Sequence, residues 1–355
     1  MTVHRYRYTH GRGRPARREW LIAVPLVLAA LAVVLGLRLP EGDGQLIGSS
    51  FCTDLEECAP GLSVAPICAE GGDCEVASSA PSDFEGVVGE GGPQVSAPAF
   101  AVIEEPCGGV LYSQNAHQRR APASLTKIAT AVVARERAPD LSELVSVTID
   151  GAEFSLETDS TIMGLRPGQQ ISLRDLLYGL LLPSGNDAAI TIAEHIGGDV
   201  PSFVAMMNEE VERLGLADTH FSNPHGLDDP EHYTSAYDIA MLGRELIRQP
   251  ALATIVREKS YQPAWDGSAV WNGNRLVYSY PGALGIKIGY TEEAQQTIVA
   301  AAERDGKRLI VSLLGSEAVY DDAIALFEWA FAGEATACDG AAVSEAVAAP
   351  AADSP

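Results

Sequence analysis

With 355 residues, 46% of them hydrophobic, the chain is long enough for one substantial buried core with tails. A formal net charge of −24 leaves no basic surface with which to hold nucleic acid. Six cysteines point to an oxidising compartment rather than the cytosol.

The N-terminus runs against the acidic trend. Arg5, Arg7, Arg12, Arg14, Arg17 and Arg18 precede Trp20–Leu37, a stretch without a charged residue. At ~1.5 Å rise per residue such a helix nearly crosses a bilayer core of ~30 Å. The pattern predicts a basic cytoplasmic segment over 1–19 and a transmembrane helix or signal anchor over 20–37, with everything after it outside the cell. A cleaved signal peptide is the alternative, but its apolar region is usually about 7 to 15 residues, and Leu37-Arg-Leu-Pro-Glu41 lacks a small-residue cleavage site. Residues 38–97 read as a Gly-, Pro-, Ser- and Glu-rich extracellular linker containing Cys52, Cys58, Cys68 and Cys74. No Cys-x-x-Cys pair or interleaved His occurs among these four, which favours disulfides over zinc.

Ala99–Ile103 and Gly109–Tyr112 read as a first β-hairpin. Ala121-Pro-Ala123 then leads to Ser124 and Lys127, followed by the apolar run Ile128–Val133. Ser124 is thus predicted to start a buried helix with Lys127 on the same face, since positions three apart are surface neighbours. Serine is a poor nucleophile until something takes its proton. A lysine can do so when burial and nearby positive charge lower its pKa. The helix N-terminus adds positive potential that disfavours an ammonium and favours a developing oxyanion.

Further along, Ser172-Leu-Arg-Asp175 and Ser235-Ala-Tyr-Asp238 read as capping boxes with Asp for the usual Glu. Pro183 ends an apolar helix and a new one opens at Asn186 or Asp187, which leaves Ser184 and Asn186 on a loop. His225 has no Cys or second His near it at ligand spacing and reads as fixing a loop, and His195 falls in an otherwise apolar helix pattern and reads as a structural residue. Gln296–Ala302 and Arg308–Leu314 form a second hairpin around Asp305-Gly306, and Asp321 or Asp322 would cap a last helix through Trp329. Strands at both ends with helices between predict one sheet covered by helices, plus a helical subdomain inserted in the middle. Cys107, in the first hairpin's turn, and Cys338, just past the last helix, are then neighbours and predicted to pair. Residues 339–355 form an Ala- and Pro-rich tail that reads as disordered.

Ser124-Leu-Thr-Lys127, Ser184-Gly-Asn186 and Lys287-Ile-Gly289, in that order and together with Asn223-Pro-His225-Gly-Leu-Asp228 and Gly285–Thr291, resemble the motif set of the low-molecular-weight penicillin-binding proteins. These are the D-alanyl-D-alanine carboxypeptidases of serine peptidase family S11. The resemblance runs from about Pro98 to about Trp329 and marks a catalytic domain over 98–338.

It implies an α/β fold of the β-lactamase/transpeptidase type, an antiparallel sheet flanked by helices with an inserted all-helical subdomain, and places Lys287 on a strand bordering the cleft. It also implies Ser124 as nucleophile, Lys127 as general base and Ser184 as proton relay. Asn186, Lys287, Gly289, Tyr290 and Thr291 would line the substrate side, with no metal and no cofactor. The implied substrate is a peptidoglycan stem peptide ending in D-Ala-D-Ala, the implied inhibitors are β-lactams, and the implied location is the bacterial envelope, held to the membrane by the N-terminal helix.

One residue departs from the pattern. The family usually has Thr or Ser where this chain has Ile288, and that hydroxyl is associated with the substrate's terminal carboxylate; Thr291, two residues past Gly289, is expected to substitute in part. A class A β-lactamase would need a Glu with Asn four residues later, and no Glu between Ser184 and Lys287 has one. A non-catalytic module that binds cell-wall peptides or β-lactams has Ile288 as its only support.

Overall fold

The computed structural model describes residues 91–264, 267–333 and 337–338. The membrane helix expected over 20–37, the four linker cysteines and the tail from 339 lie outside these. Among the described residues no helix is long and apolar enough to cross a membrane.

Ala99–Glu104 (β1), apolar from Ala99 to Ile103, is buried along its whole length, the pattern of a strand covered on both faces. It pairs with β2 (Val110–Gln114) on one side and β9 (Lys307–Ser316) on the other. The sheet continues through β8 (Gln295–Arg304) to β7 (Ala283–Thr291) at the edge, giving the antiparallel order β2-β1-β9-β8-β7. The two ends of the domain therefore meet in one sheet, as the sequence predicts. Asp305 and Gly306 join β8 to β9 with φ of 52° and 81°, which a two-residue hairpin turn of primed type requires.

Between β2 and β7 lie a 3₁₀ turn (Ala123–Thr126) and helices α1 (Lys127–Arg137), α2 (Gly151–Thr158), α3 (Leu173–Leu181), α4 (Asn186–Gly197), α5 (Val200–Arg213), α6 (Ala236–Arg248), α7 (Pro250–Arg257) and α8 (Leu276–Ser279). Helix α9 (Val319–Ala332) follows β9. One sheet face packs Phe100, Val102, Val311 and Leu313 against Ala323, Leu326 and Phe327 of α9. The other turns Ala99, Ala101, Val299 and Ile310 towards the helical body, whose centre is α1, buried from Lys127 to Ala134.

The inserted region is not all-helical. It holds two small antiparallel ribbons, β3 (Leu144–Ser146) with β4 (Gln170–Ser172) and β5 (Ser260–Tyr261) with β6 (Val270–Trp271). Strands of two or three residues are too short for an alternation to register in sequence. The capping boxes form by half: Ser172 and Ser235 each accept from the backbone N–H three residues on, at 3.1 Å. Asp is one methylene short of Glu, and both carboxylates serve tertiary contacts instead. Asp175 accepts from Tyr261 Oη and Asp238 from Thr219 Oγ1. Neither Asp321 nor Asp322 caps α9, whose N-cap is Ala318. Asp322 sits in the first turn and accepts from the Ser96 and Ser316 hydroxyls.

Cys107 and Cys338 are disulfide-bonded, with Cα atoms 5.8 Å apart. The Glu104 carboxylate holds the same C-terminal segment by accepting from the backbone N–H groups of Ala337 (2.7 Å) and Cys338 (2.9 Å).

Candidate active site

Ser124 sits in the 3₁₀ turn that leads into α1, where the first N–H groups have no intrahelical partner. The turn begins with Ala123 at φ +51°, a conformation few side-chain-bearing residues adopt. It is wedged between the 223–228 loop and the edge strand. A Cβ on Gly226 would lie 1.9 Å from the Ala123 carbonyl oxygen, and one on Gly289 would lie 2.9 Å from Ser124 N. Glycine at both places lets two backbones close on the nucleophile.

Lys127 is the first residue of α1 and is wholly buried. Its Nζ lies 2.9 Å from Ser124 Oγ and donates to the His225 carbonyl at 2.6 Å. Burial, and then the charge of Lys287, push its pKa well below the ordinary lysine value, against an opposing pull from Asp187. A neutral amine beside a serine hydroxyl can take its proton. Lys287, on β7, is also buried; its Nζ donates to the Ile288 carbonyl at 2.9 Å, and burial lowers its pKa to about 7. The two lysines are near enough for one to shift the other.

Pro183 breaks the chain after α3, and Ser184 adopts φ +73° before α4 opens at Asn186. Ser184 Oγ is buried without a hydrogen-bond partner among the described residues. Strained backbone carrying an orphaned hydroxyl is a combination found at functional sites. The loop is tied towards β7 through Gly273, whose N–H donates to the Leu182 carbonyl and on which the Ile288 side chain packs. Asn186 is buried, and its N–H donates to the Thr161 carbonyl.

Tyr290 stands 63% exposed on the rim beyond Gly289. The Thr291 hydroxyl donates to Asp228 Oδ1 at 2.8 Å and accepts from Ala294 N. In this structure its one proton is therefore directed to a carboxylate within the protein.

Two residues of the site escaped the sequence reading. Asp187, fully buried next to Asn186, accepts from the N–H groups of Met163, Gly164, Leu165 and Ala188, and so clamps the 163–165 loop beside Lys127. Its adjacency to Ser184-Gly-Asn186 was the only available signal. His232 reaches Thr126 across 106 positions, and nothing in the sequence forecasts this. His225 fixes its loop as expected, Nδ1 accepting from Leu227 N, but its carbonyl also holds Lys127. His195 pairs with Glu143 at the surface.

The model of peptidase family S11, D-alanyl-D-alanine carboxypeptidase, matches residues 87–318. A D-alanyl-D-alanine carboxypeptidase of Bacillus subtilis (DacF) is 34% identical over 62% of this chain and 57% of its own length. A D-alanyl-D-alanine carboxypeptidase of Mycobacterium tuberculosis is 36% identical over 68% of this chain and 84% of its own. The chain thus spans less than two thirds of the Bacillus relative's length. Among solved structures, a DD-transpeptidase from Streptomyces superposes with a TM-score of 0.65 at 30% identity, covering 68% of this chain and 99% of that one. With a match over most of its described region and relatives that share its fold, the chain belongs to the D-alanyl-D-alanine carboxypeptidase family of serine peptidases.

Proposed function

We propose that this protein is a serine-type carboxypeptidase that removes the terminal D-alanine from peptidoglycan stem peptides ending in D-Ala-D-Ala, through an acyl-enzyme on Ser124. The observation that carries the reading is the buried Lys127 amine 2.9 Å from Ser124 Oγ, in surroundings that favour its neutral form.

In this mechanism Lys127 Nζ takes the Ser124 proton as Oγ bonds to the carbonyl carbon between the two D-alanines. Backbone N–H groups of Ser124 and Tyr290 receive the oxyanion. Collapse of the intermediate breaks the C–N bond, and the Ser184 hydroxyl passes its proton to the leaving amine while Lys127 Nζ returns the captured proton to Ser184 Oγ, so that D-alanine departs neutral at nitrogen and Lys127 is again a free amine. Water then attacks the ester as Lys127 takes its proton, and the Oγ–carbonyl bond breaks as Lys127 returns that proton to Ser124 Oγ, which releases the shortened peptide with a new carboxyl group. Asn186 holds the substrate amide and Lys287 attracts the terminal carboxylate, without help from a hydroxyl at Ile288. A β-lactam acylates Ser124 in the same way, but its leaving nitrogen stays tethered, so water gains access less readily.

We place the catalytic domain at 98–338, behind the 38–97 linker and a membrane anchor at 20–37 that would hold it on the outer face of the bacterial envelope. The uncharged run Trp20–Leu37 and the arginines before it support this. The direct test is incubation of the full chain with diacetyl-L-Lys-D-Ala-D-Ala. Release of D-alanine by the wild type and its loss in Ser124→Ala are expected; no release from folded protein that a penicillin still acylates would leave a binding module instead.

A further inference from the structure

Behind the nucleophile lies a chain of three hydrogen bonds that the acyl-transfer mechanism does not use. His232 is 3% exposed, and its ring packs on Phe221 with centroids 5.5 Å apart. The backbone N–H of Ser222 can only donate, and it reaches His232 Nδ1 at 2.9 Å. Nδ1 must therefore be the acceptor, which leaves the ring proton on Nε2. Nε2 lies 2.7 Å from Thr126 Oγ1, so the imidazole donates to that hydroxyl. Thr126 Oγ1 in turn donates to the carbonyl oxygen of Ala123 at 2.9 Å.

That carbonyl is not an arbitrary acceptor. It belongs to the peptide joining Ala123 to Ser124, whose carbonyl oxygen and Ser124 N–H lie in one plane and point to opposite sides of the C–N bond. Pinning the oxygen fixes the direction of the N–H. The residue carrying it has φ +51°, so the turn is unfavourable unless its surroundings hold it. Gly226 and Gly289 close on the same peptide from two other elements, which limits its rotation but supplies no hydrogen bond to the oxygen.

We propose that His232 and Thr126 are positioning residues for Ser124, a neutral-imidazole relay that locks the Ala123–Ser124 peptide and so aims the Ser124 N–H at the developing oxyanion. The inference rests on Ser124 being the acylated residue. Burial, which lowers the His232 pKa to about 4, keeps the ring in the neutral form the relay needs.

The test is the acylation of the full chain by a penicillin, resolved into pre-acylation binding and the acylation rate constant. Thr126→Val keeps the shape and removes the hydroxyl. It is expected to slow acylation about ten- to hundredfold with binding little changed, the scale of a misdirected catalytic donor. Thr126→Ser, which restores the hydroxyl, should acylate close to the wild-type rate, and His232→Phe should match Thr126→Val. Because one device is being broken twice, Thr126→Val with His232→Phe should be no slower than the slower single variant. Wild-type rates in folded Thr126→Val, equal slowing by Ser and Val, or multiplying effects in the double variant would each overturn the relay. Should His232→Phe not fold, the Thr126 pair alone decides. A wild type that no penicillin acylates would instead remove the reading of Ser124 on which the inference stands.

Discussion

Replacing Lys287 by methionine should make the protein more stable and less useful. The folded protein holds this amine at a pKa of about 7 against the ordinary 10.5, because burial disfavours the ammonium. Between those two pH values the unfolded chain binds a proton that the folded chain does not. Stability therefore rises with pH across this window, by about 1.4 kcal/mol per pH unit at most, and the penalty is fully present below about 7.

Methionine fills similar volume without charge and gives up one hydrogen bond to the Ile288 carbonyl, worth about 1 kcal/mol. At pH 7 the variant should be about 1–4 kcal/mol more stable than the wild type, the range seen when buried charges are exchanged for apolar side chains. The gap should shrink by roughly 1.4 kcal/mol for each pH unit towards pH 9. Urea unfolding of both proteins at pH 7, 8 and 9 measures it. A gap that does not change with pH, or a variant less stable at pH 7, refutes the reasoning. The same substitution removes a charge that depresses Lys127, so the acid limb of whatever penicillin acylation remains should move to higher pH.

The disulfide between Cys107 and Cys338 closes a loop with a sequence separation of 231, so replacing both cysteines by serine should cost about 2–5 kcal/mol and lower Tm by about 5–15 °C. An unchanged Tm, or peptide mapping under non-reducing conditions that pairs either cysteine with Cys52, Cys58, Cys68 or Cys74, sinks that expectation. Ile288→Thr should raise kcat/KM for D-alanine release about tenfold to a hundredfold, the worth of one bond to a carboxylate, while leaving ester substrates without that carboxylate unchanged. Equal effects on ester and peptide would show that the hydroxyl acts elsewhere.

What the sequence made legible was chiefly local. Ala99–Glu104 and the Asp305-Gly306 hairpin declared themselves by apolar runs and turn residues, and Ser172 and Ser235 cap the helices their spacing foretold. Ser124 and Lys127 share a helical face, so their contact follows from an offset of three. Strand β7 was visible only through family resemblance. Its glycines at 285 and 289 weaken any strand propensity, and the close backbone packing that requires Gly289 is tertiary. The same holds for Asp187, whose four backbone donors come mostly from a loop more than twenty positions earlier, and for His232. Asp175 and Asp238 show the converse, since a correct local pattern lost its second half to partners elsewhere in the fold.

Whether Ser124 forms the acyl-enzyme is decided most directly by intact-mass spectrometry of the full chain after exposure to a penicillin, followed by peptide mapping. A single covalent addition on the peptide containing Ser124, absent from Ser124→Ala, is predicted. No adduct on folded wild type, or an undiminished adduct on the variant, contradicts the account.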